Sequence, residues 1–147
     1  MIKIQNDIYF SDNRKDMDLE LIFNFVKNSY WGKSRTLEEQ EIANKNTLNF
    51  GLFKNGKQIA FSRVMSDQVF FAYLLDVFVI DKEQGNGYAK ILIDKILQHS
   101  LLINVDKWML ATKDAHSFYE KIGFELIKRP EILMEKLSER AKQVFEQ

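Results

Sequence analysis

The chain has 147 residues, a length that fits one domain built around one hydrophobic core. Its 21 basic and 21 acidic residues give a formal charge of zero, so no global field draws it to nucleic acid or to an anionic membrane. The absence of cysteine excludes disulfides, thiolate metal ligands and a cysteine nucleophile.

The sequence also bears on location and metal content. No apolar run approaches the roughly 20 residues that span a bilayer, and the first residues lack the apolar core of a signal peptide. We therefore expect a cytoplasmic protein with no membrane partner. His99 and His116 lie far apart with no carboxylate at metal-ligand spacing, so we expect no metal site.

The first predicted elements are a strand and two helices. Residues 7–11 fit a short strand, and residues 18–29 place apolar side chains on one helical face. The aromatic stretch at 30–35 breaks that period. Thr36 to Glu39 then resembles a capping box, which predicts a second, polar helix ending near residue 46.

A hairpin and a buried strand come next. Asn55-Gly56 supplies the positive φ angles of a tight turn, which predicts paired strands over 48–53 and 58–65. A second turn near residue 67 leads to the almost wholly apolar run 73–80, which predicts a buried strand.

A glycine loop with the sequence Gln84-Gly85-Asn86-Gly87-Tyr88-Ala89 follows this strand and opens an amphipathic helix. A helix N-terminus has unpaired N–H groups and a partial positive charge, so such a loop favours a phosphate ligand. The loop lacks the Lys-Ser/Thr pair of a P-loop, and Lys90 stands where a dinucleotide fold has a small residue. An ordinary strand-to-helix turn is the alternative.

The remaining elements complete a mixed fold. Residues 108–112 predict a second buried strand, and strand, helix and strand in this order indicate a parallel crossover. Asp114 is expected to cap a short helix through Ile122, which Gly123 closes.

The C-terminal region is predicted from one strand pattern and one breaker. Residues 124–128 predict a late strand, and Pro130, the only proline, ends it. From residue 131 to residue 147 we expect a last short strand and a charged helical tail. Exposed tail apolars such as Leu133 or Val144 would allow a homodimer.

Two segments together resemble the GNAT superfamily of acetyl-coenzyme A dependent N-acyltransferases. The run from Leu75 through Ala89 contains the family's Q/R-x-x-G-x-G/A motif, and Asp114 to Phe124 matches its F-Y-E-K-x-G-F ending. The similarity covers most of the chain up to Phe124 and is weakest at the termini.

This resemblance sharpens the predicted fold. We expect a single mixed α/β domain over residues 1–147, with a central twisted sheet of about six or seven strands and about four flanking helices. The sheet is expected to be antiparallel at first, with a parallel pair around the cofactor helix.

The resemblance also implies a cofactor site for acetyl-coenzyme A (acetyl-CoA). Backbone amides of the glycine loop would hold the pyrophosphate, and the strand before it would pair with the pantetheine arm and offer an oxyanion donor. Thr112 stands where many relatives have asparagine, and its hydroxyl could replace part of that contact. The residues implied are Val77, Phe78, Val79, Gln84, Gly85, Asn86, Gly87, Tyr88, Ala89 and Thr112.

Two residues are candidates for catalysis. Tyr119 occupies the position of a tyrosine that protonates the leaving thiolate in many relatives; the alternative is a core aromatic. Asp76 is an acid in an apolar strand, which requires a physical reason because an unpaired buried carboxylate is costly. It is either a base for the acceptor amine, with a pKa raised by burial, or a structural partner of Arg63.

The acceptor side is less defined. Arg63 could bind a substrate carboxylate, and Tyr30 and Trp31 lie in the loop where the family forms its acceptor pocket. His116 could reach the cleft or lie on an exposed helix face. The sequence thus predicts an enzyme that moves an acetyl group directly to a primary amine of a small molecule or peptide. A non-catalytic acyl-CoA-binding module and a longer acyl donor remain as alternatives.

Overall fold

The computed structural model describes residues 1–145. A six-stranded sheet with strands in chain order forms its centre, and every neighbouring pair is antiparallel except the last, which is parallel. The strands are β1 (Ile2–Gln5), β2 (Ile8–Ser11), β3 (Leu48–Lys54), β4 (Lys57–Ser66), β5 (Phe71–Val79) and β6 (Lys107–Met109). The helices are α1 (Leu19–Lys27), α2 (Leu37–Lys45), α3 (Tyr88–Leu97), α4 (His116–Glu120) and α5 (Glu139–Phe145).

Helices cover both faces of this sheet. Neighbouring side chains on a strand point to opposite faces, and Ala60 and Phe61 of β4 belong to different apolar clusters. Ala60 lies in the large cluster that α3 completes, whereas Phe61 packs with Phe78 and the buried residues of α1. The mixed α/β fold predicted from the sequence is confirmed.

Most predicted elements are present close to their expected bounds. Asp18 caps α1, and Thr36 and Glu39 form the reciprocal capping box of α2. The parallel pairing of β5 with β6 across α3 is the predicted crossover. None of the helices in the described part of the chain is long and apolar enough to cross a membrane.

The N-terminal and C-terminal predictions need correction. The sequence analysis missed β1, which pairs with β2 at the sheet edge. Residues 124–128 do not form the predicted late strand: they have no strand partner in the described sheet, and Leu126 is 71% exposed. An apolar alternation shows that a strand would fit, but it does not supply the neighbour with which a strand must pair.

The region after Pro130 is likewise different from the prediction. Residues Pro130–Ile132 form a 3₁₀ turn in place of a last short strand, and the predicted helical tail is present as α5. The last two residues of the predicted tail lie outside the described part of the chain. Arg140 of α5 bonds Glu39 of α2, so the tail contacts the face that carries α2.

The strand predicted over 108–112 is shorter than expected. Strand β6 ends at Met109, so only Phe71–Tyr73 of β5 have a partner on that side. The remainder of β5 therefore has an open edge toward the segment that leads into α4.

Candidate active site

A bulge in β5 shapes the centre of the site. Between Leu75 and Phe78, β5 has one residue more than the facing segment of β4, and Asp76 adopts a positive φ of 54° there. Such a bulge bends a strand and redirects its side chains. The bulge lies beyond the last residue of β5 that pairs with β6, where the two strands diverge.

A glycine-loop cleft of about 410 Å³ lies beside the open edge of β5. Gly85 and Gly87 both have positive φ, at 83° and 79°, which glycine adopts without a steric penalty. An ion pair between Lys54 at the end of β3 and Glu83 fixes the turn that precedes the loop. The cleft is lined by Val77, Phe78, Val79, Glu83, Gln84, Gly85, Gly87, Tyr88, Ala89, Lys90, Ala115, Phe118 and Tyr119.

Backbone donors converge on this cleft. The first backbone N–H inside α3 with a partner is that of Ile91, which donates to Gly87. Among the described residues, the N–H groups of residues 85–90 have no hydrogen-bond acceptor. Free donors at a helix N-terminus are suited to a phosphate, as the sequence predicted.

The open edge of β5 presents further backbone groups. Ile80 N–H donates to Ile59 of β4, so the alternation of a strand directs the N–H of Phe78 to β4 and that of Val79 to the open edge. Val77 belongs to the bulge itself. Gln84 donates its side-chain amide to the Val79 carbonyl, whereas Asn86 folds back onto the Glu83 carbonyl and does not line the cleft.

An aromatic cleft of about 440 Å³ lies on the other side of the β5 bulge. Tyr30 and Trp31 form one wall, in edge-to-face contact with their ring centroids 5.3 Å apart. The wall is positioned by Gly32, because a Cβ there would lie 2.4 Å from the Val26 carbonyl oxygen of α1. Other lining residues are Arg35, Tyr73, Leu74, Leu75, Asp76, Val77, Leu110, Ala111, Thr112, Lys113, Asp114, Ala115 and Tyr119.

Asp76 holds together a buried polar network beneath α2. Its Oδ2 atom accepts hydrogen bonds from Arg63 Nε at 2.7 Å, Arg35 Nη1 at 2.8 Å and Gln40 Nε2 at 3.2 Å. Its side chain is 1% exposed. The ion pair with Arg63, one of the two alternatives for Asp76, is thus present.

The electrostatics of Asp76 differ from the sequence expectation. Burial alone would raise the pKa of Asp76, but hydrogen bonds and charges from Arg35 and Arg63 outweigh burial and hold the pKa below its usual range. A carboxylate with a lowered pKa is a weaker base. The catalytic role of Asp76 stays a prediction, and its geometry is that of an ion-pair centre.

Of the two arginines bonded to Asp76, it is Arg35 and not the predicted Arg63 that lines a cleft. Arg63 is buried against Asp76 and lines none of the described clefts, so it does not reach a substrate in the aromatic cleft. Arg35 lines that cleft and its side chain is 21% exposed. Sequence reasoning missed Arg35, because its contact with Asp76 joins residues 41 positions apart.

Tyr119 lies where the glycine-loop cleft and the aromatic cleft meet. Val77, Ala115 and Tyr119 line both clefts. Tyr119 is buried, and its hydroxyl makes no hydrogen bond to a described residue. Burial, with a smaller contribution from Tyr30, raises the pKa of Tyr119 to about 12, so the phenol stays protonated at neutral pH.

The surroundings of His116 and Thr112 bear on two further predictions, and the exposed position of His116 on α4 is one of the two alternatives given for it. His116 is exposed on α4 and lines a third cleft, next to the C-terminal segment, and not the aromatic cleft. Thr112 accepts a hydrogen bond from Ala115 N–H and so supports the start of α4, where the sequence predicted a cap from Asp114. Thr112 lines the aromatic cleft but not the glycine-loop cleft.

In the described part of the chain, no group of three or more histidine, aspartate or glutamate side chains is arranged to hold a metal ion.

Comparison with known proteins places the described geometry in a family. The model of the acetyltransferase (GNAT) family matches residues 9–124. An uncharacterised N-acetyltransferase, ycf52, from Pyropia yezoensis is 34% identical over 131 residues, which cover 85% of this chain and 73% of that protein.

Solved structures show the same similarity. A crystal structure assigned to the GNAT family from Xanthomonas campestris pv. campestris superposes with a TM-score of 0.86 and 37% identity, covering 89% of this chain and 93% of that one. An acetyltransferase from Clostridium acetobutylicum crystallised with acetyl-CoA shares the fold, with a TM-score of 0.65 and 16% identity. That alignment covers 88% of this chain and 96% of the other.

Proposed function

Because the chain belongs to the GNAT family of acetyltransferases, we propose that it transfers an acetyl group from acetyl-CoA directly to a primary amine. The acceptor amine is carried by a small molecule or a peptide. Both substrates are bound at the same time, one in each cleft, and no acetyl group is held by the enzyme between them.

The observation that supports this proposal best is the meeting of the two clefts. Val77, Ala115 and Tyr119 line both, so a thioester in one cleft and an amine in the other would face each other there. Holding two reactants in contact replaces a bimolecular step by an effectively unimolecular one. The chain has no cysteine for a thioester intermediate, which also favours direct transfer.

The glycine-loop cleft has the donors that acetyl-CoA requires. The unpaired N–H groups of residues 85–90 suit the pyrophosphate, and the open edge of β5 suits the amide groups of the pantetheine arm. Lys90 also lines the cleft, and its Nζ atom pairs with Asp94 at 2.7 Å. Bound acetyl-CoA would supply the acetyl group as an activated thioester.

Two groups of this chain serve the transfer. We assign the N–H of Val77, a bulge residue that lines both clefts, to the negative charge that develops on the carbonyl oxygen. One such donor contributes about 3–4 kcal/mol in a preorganised site. Tyr119 donates a hydrogen bond to the leaving sulfur. The pKa of Tyr119, about 12, lies above the value of about 8.5 for a thiol. The phenol therefore stabilises the thiolate by a hydrogen bond and remains the protonated partner.

The acceptor amine must lose a proton before it attacks. Asp76 has a lowered pKa and is shared by two arginines, which makes it a weak base at neutral pH. We therefore propose that the ammonium releases its proton to solvent, and that Asp76 positions Arg35 at the wall of the aromatic cleft.

Release of coenzyme A thiol tests the proposed function. The purified protein is mixed with acetyl-CoA and a pool of small primary amines and peptides, and a thiol reagent records turnover against a control without amine. We expect amine-dependent thiol release together with acetylated amine in the product. Binding of acetyl-CoA without thiol release for any amine would contradict catalysis and indicate a binding module.

A further inference from the structure

A primary amine of the chain itself lies in the aromatic cleft. Lys113, between β6 and α4, lines this cleft, and its Nζ atom lies 5.3 Å from the centroid of the Tyr30 ring. Tyr30 lines the same cleft and contributes to the electrostatic environment of Tyr119, which also lines it. The Lys113 amine, the Tyr30 ring and Tyr119 therefore belong to one cleft.

We infer that Lys113 is an intramolecular acceptor, and that the enzyme acetylates its own Lys113 side chain. This inference rests on the proposed function, because it uses the same donor and the same meeting point of the clefts. A tethered amine experiences an effective concentration in the millimolar range, which a free amine must match to compete.

The reaction balances without any further reagent. The Lys113 ammonium first loses a proton to solvent, and its nitrogen then forms a bond to the acetyl carbon. The bond between that carbon and the coenzyme A sulfur breaks, the nitrogen loses a second proton, and the thiolate takes up a proton. The products are Nε-acetyl-Lys113 and coenzyme A.

Acetylation would change the cleft that performs it. The modified side chain loses its positive charge, and with it the cation–π contact with Tyr30. Arg35 then remains as the partly exposed cation of the cleft lining, and it is already paired with the Asp76 carboxylate. Self-acetylation would thus make the aromatic cleft less favourable for acceptors that carry an anionic group.

Lys27 provides a matched control for chemical acetylation. Its Nζ atom lies 5.5 Å from the centroid of the Phe23 ring, which is the same kind of contact, but Lys27 lies at the end of α1 and lines none of the described clefts. Non-enzymatic acetylation by acetyl-CoA would modify both lysines at similar rates.

The test measures acetylation of each lysine over time. The intact protein is incubated with acetyl-CoA alone, digested, and the acetylated fraction of Lys113 and Lys27 is read by mass spectrometry at several protein concentrations. We expect Lys113 to react about tenfold faster than Lys27 or more, because only Lys113 is held beside the bound thioester, and at a rate that does not depend on protein concentration. The replacement Tyr119→Phe should lower the acetylation rate of Lys113 and leave that of Lys27 unchanged.

Three outcomes would overturn the inference: equal rates at the two lysines, a Lys113 rate that rises with protein concentration, or a Lys113 rate that Tyr119→Phe does not change. Measuring thiol release with free amines in the same preparation distinguishes a failure of the Lys113 inference from a failure of the proposed function. An enzyme that acetylates free amines but not Lys113 keeps the proposed function and loses only this inference.

Discussion

At the scale of single residues, Tyr119 and Asp76 are both buried but are constrained in different ways. The Tyr119 hydroxyl has no hydrogen-bond partner among the described residues, and Tyr119 lines both clefts. Asp76 is held by Arg35, Arg63 and Gln40. Substitutions at the two positions should therefore affect different properties of the protein.

Replacement Tyr119→Phe should lower turnover and leave the binding of acetyl-CoA nearly unchanged. The phenol supplies the hydrogen bond to the leaving group, and groups that donate or accept protons in this way contribute about 10²-fold or more to rate. Steady-state kinetics and calorimetric titration with acetyl-CoA measure the two effects. The control Tyr9→Phe alters a tyrosine on β2 that lines none of the described clefts. Unchanged turnover in Tyr119→Phe would remove this residue from the mechanism.

Replacement Asp76→Asn should destabilise the fold. It leaves the guanidinium groups of Arg35 and Arg63 together without a countercharge, and breaking a buried ion pair in this way costs about 3–5 kcal/mol. Urea unfolding measures the loss. The control Glu41→Gln breaks a surface pair with Lys45 and should cost less than about 1 kcal/mol. Equal losses in the two variants would contradict the structural role of Asp76.

At the scale of elements, local sequence patterns predicted the parts of the fold with local causes. The capping box of α2, the Asn55-Gly56 turn and the glycine loop were all found because a few neighbouring residues determine their backbone angles. The strand predicted over 124–128 was wrong because strand formation needs a partner, which a local pattern does not contain.

In the candidate site, too, the features with local causes could be predicted and those that depend on distant contacts could not. The glycine-loop cleft could be predicted, because its donors belong to one continuous segment. The role of Arg35 could not, since it depends on the contact between the α1–α2 loop and the bulge of β5. The only sign of the bulge in the sequence was Asp76, an acidic residue within an apolar run.

Replacement Gly87→Ala tests the element that begins α3. A positive φ of 79° costs an alanine about 1–2 kcal/mol, and the added Cβ would stand near the N–H groups assigned to the pyrophosphate. We expect weaker binding of acetyl-CoA in calorimetric titration. Gly56→Ala is a matched control, because Gly56 has a φ of 76° and equally open surroundings in the turn between β3 and β4. If both variants bind acetyl-CoA like the parent, the loop is not its phosphate site.

At the scale of the whole molecule, the site joins regions that are distant in sequence. The α1–α2 loop, the bulge of β5 and the segment before α4 meet around the aromatic cleft. The sheet makes this possible, because β5 loses its neighbour after Tyr73 and leaves an edge that other parts of the chain can approach. The cytoplasmic location and the homodimer predicted from the sequence stay predictions.

Global stability should depend on pH through Asp76. Its pKa is lower in the folded than in the unfolded state, so its contribution is complete above the unfolded value of about 3.9 and is lost as the pH falls through the folded value. Urea unfolding between neutral pH and pH 3 or below should show this loss in the parent. The difference between the parent and Asp76→Asn should shrink over the same range, and a difference that stays constant would contradict the assignment.

Initial-velocity kinetics test the central claim, that donor and acceptor meet in two joined clefts without an acetyl-enzyme intermediate. Acetyl-CoA and an accepted amine are varied together, and reciprocal rates are plotted against reciprocal concentrations. Simultaneous binding predicts lines that intersect, with both concentrations affecting the slopes. Parallel lines, the result expected of a ping-pong reaction through an acetylated enzyme, would contradict it.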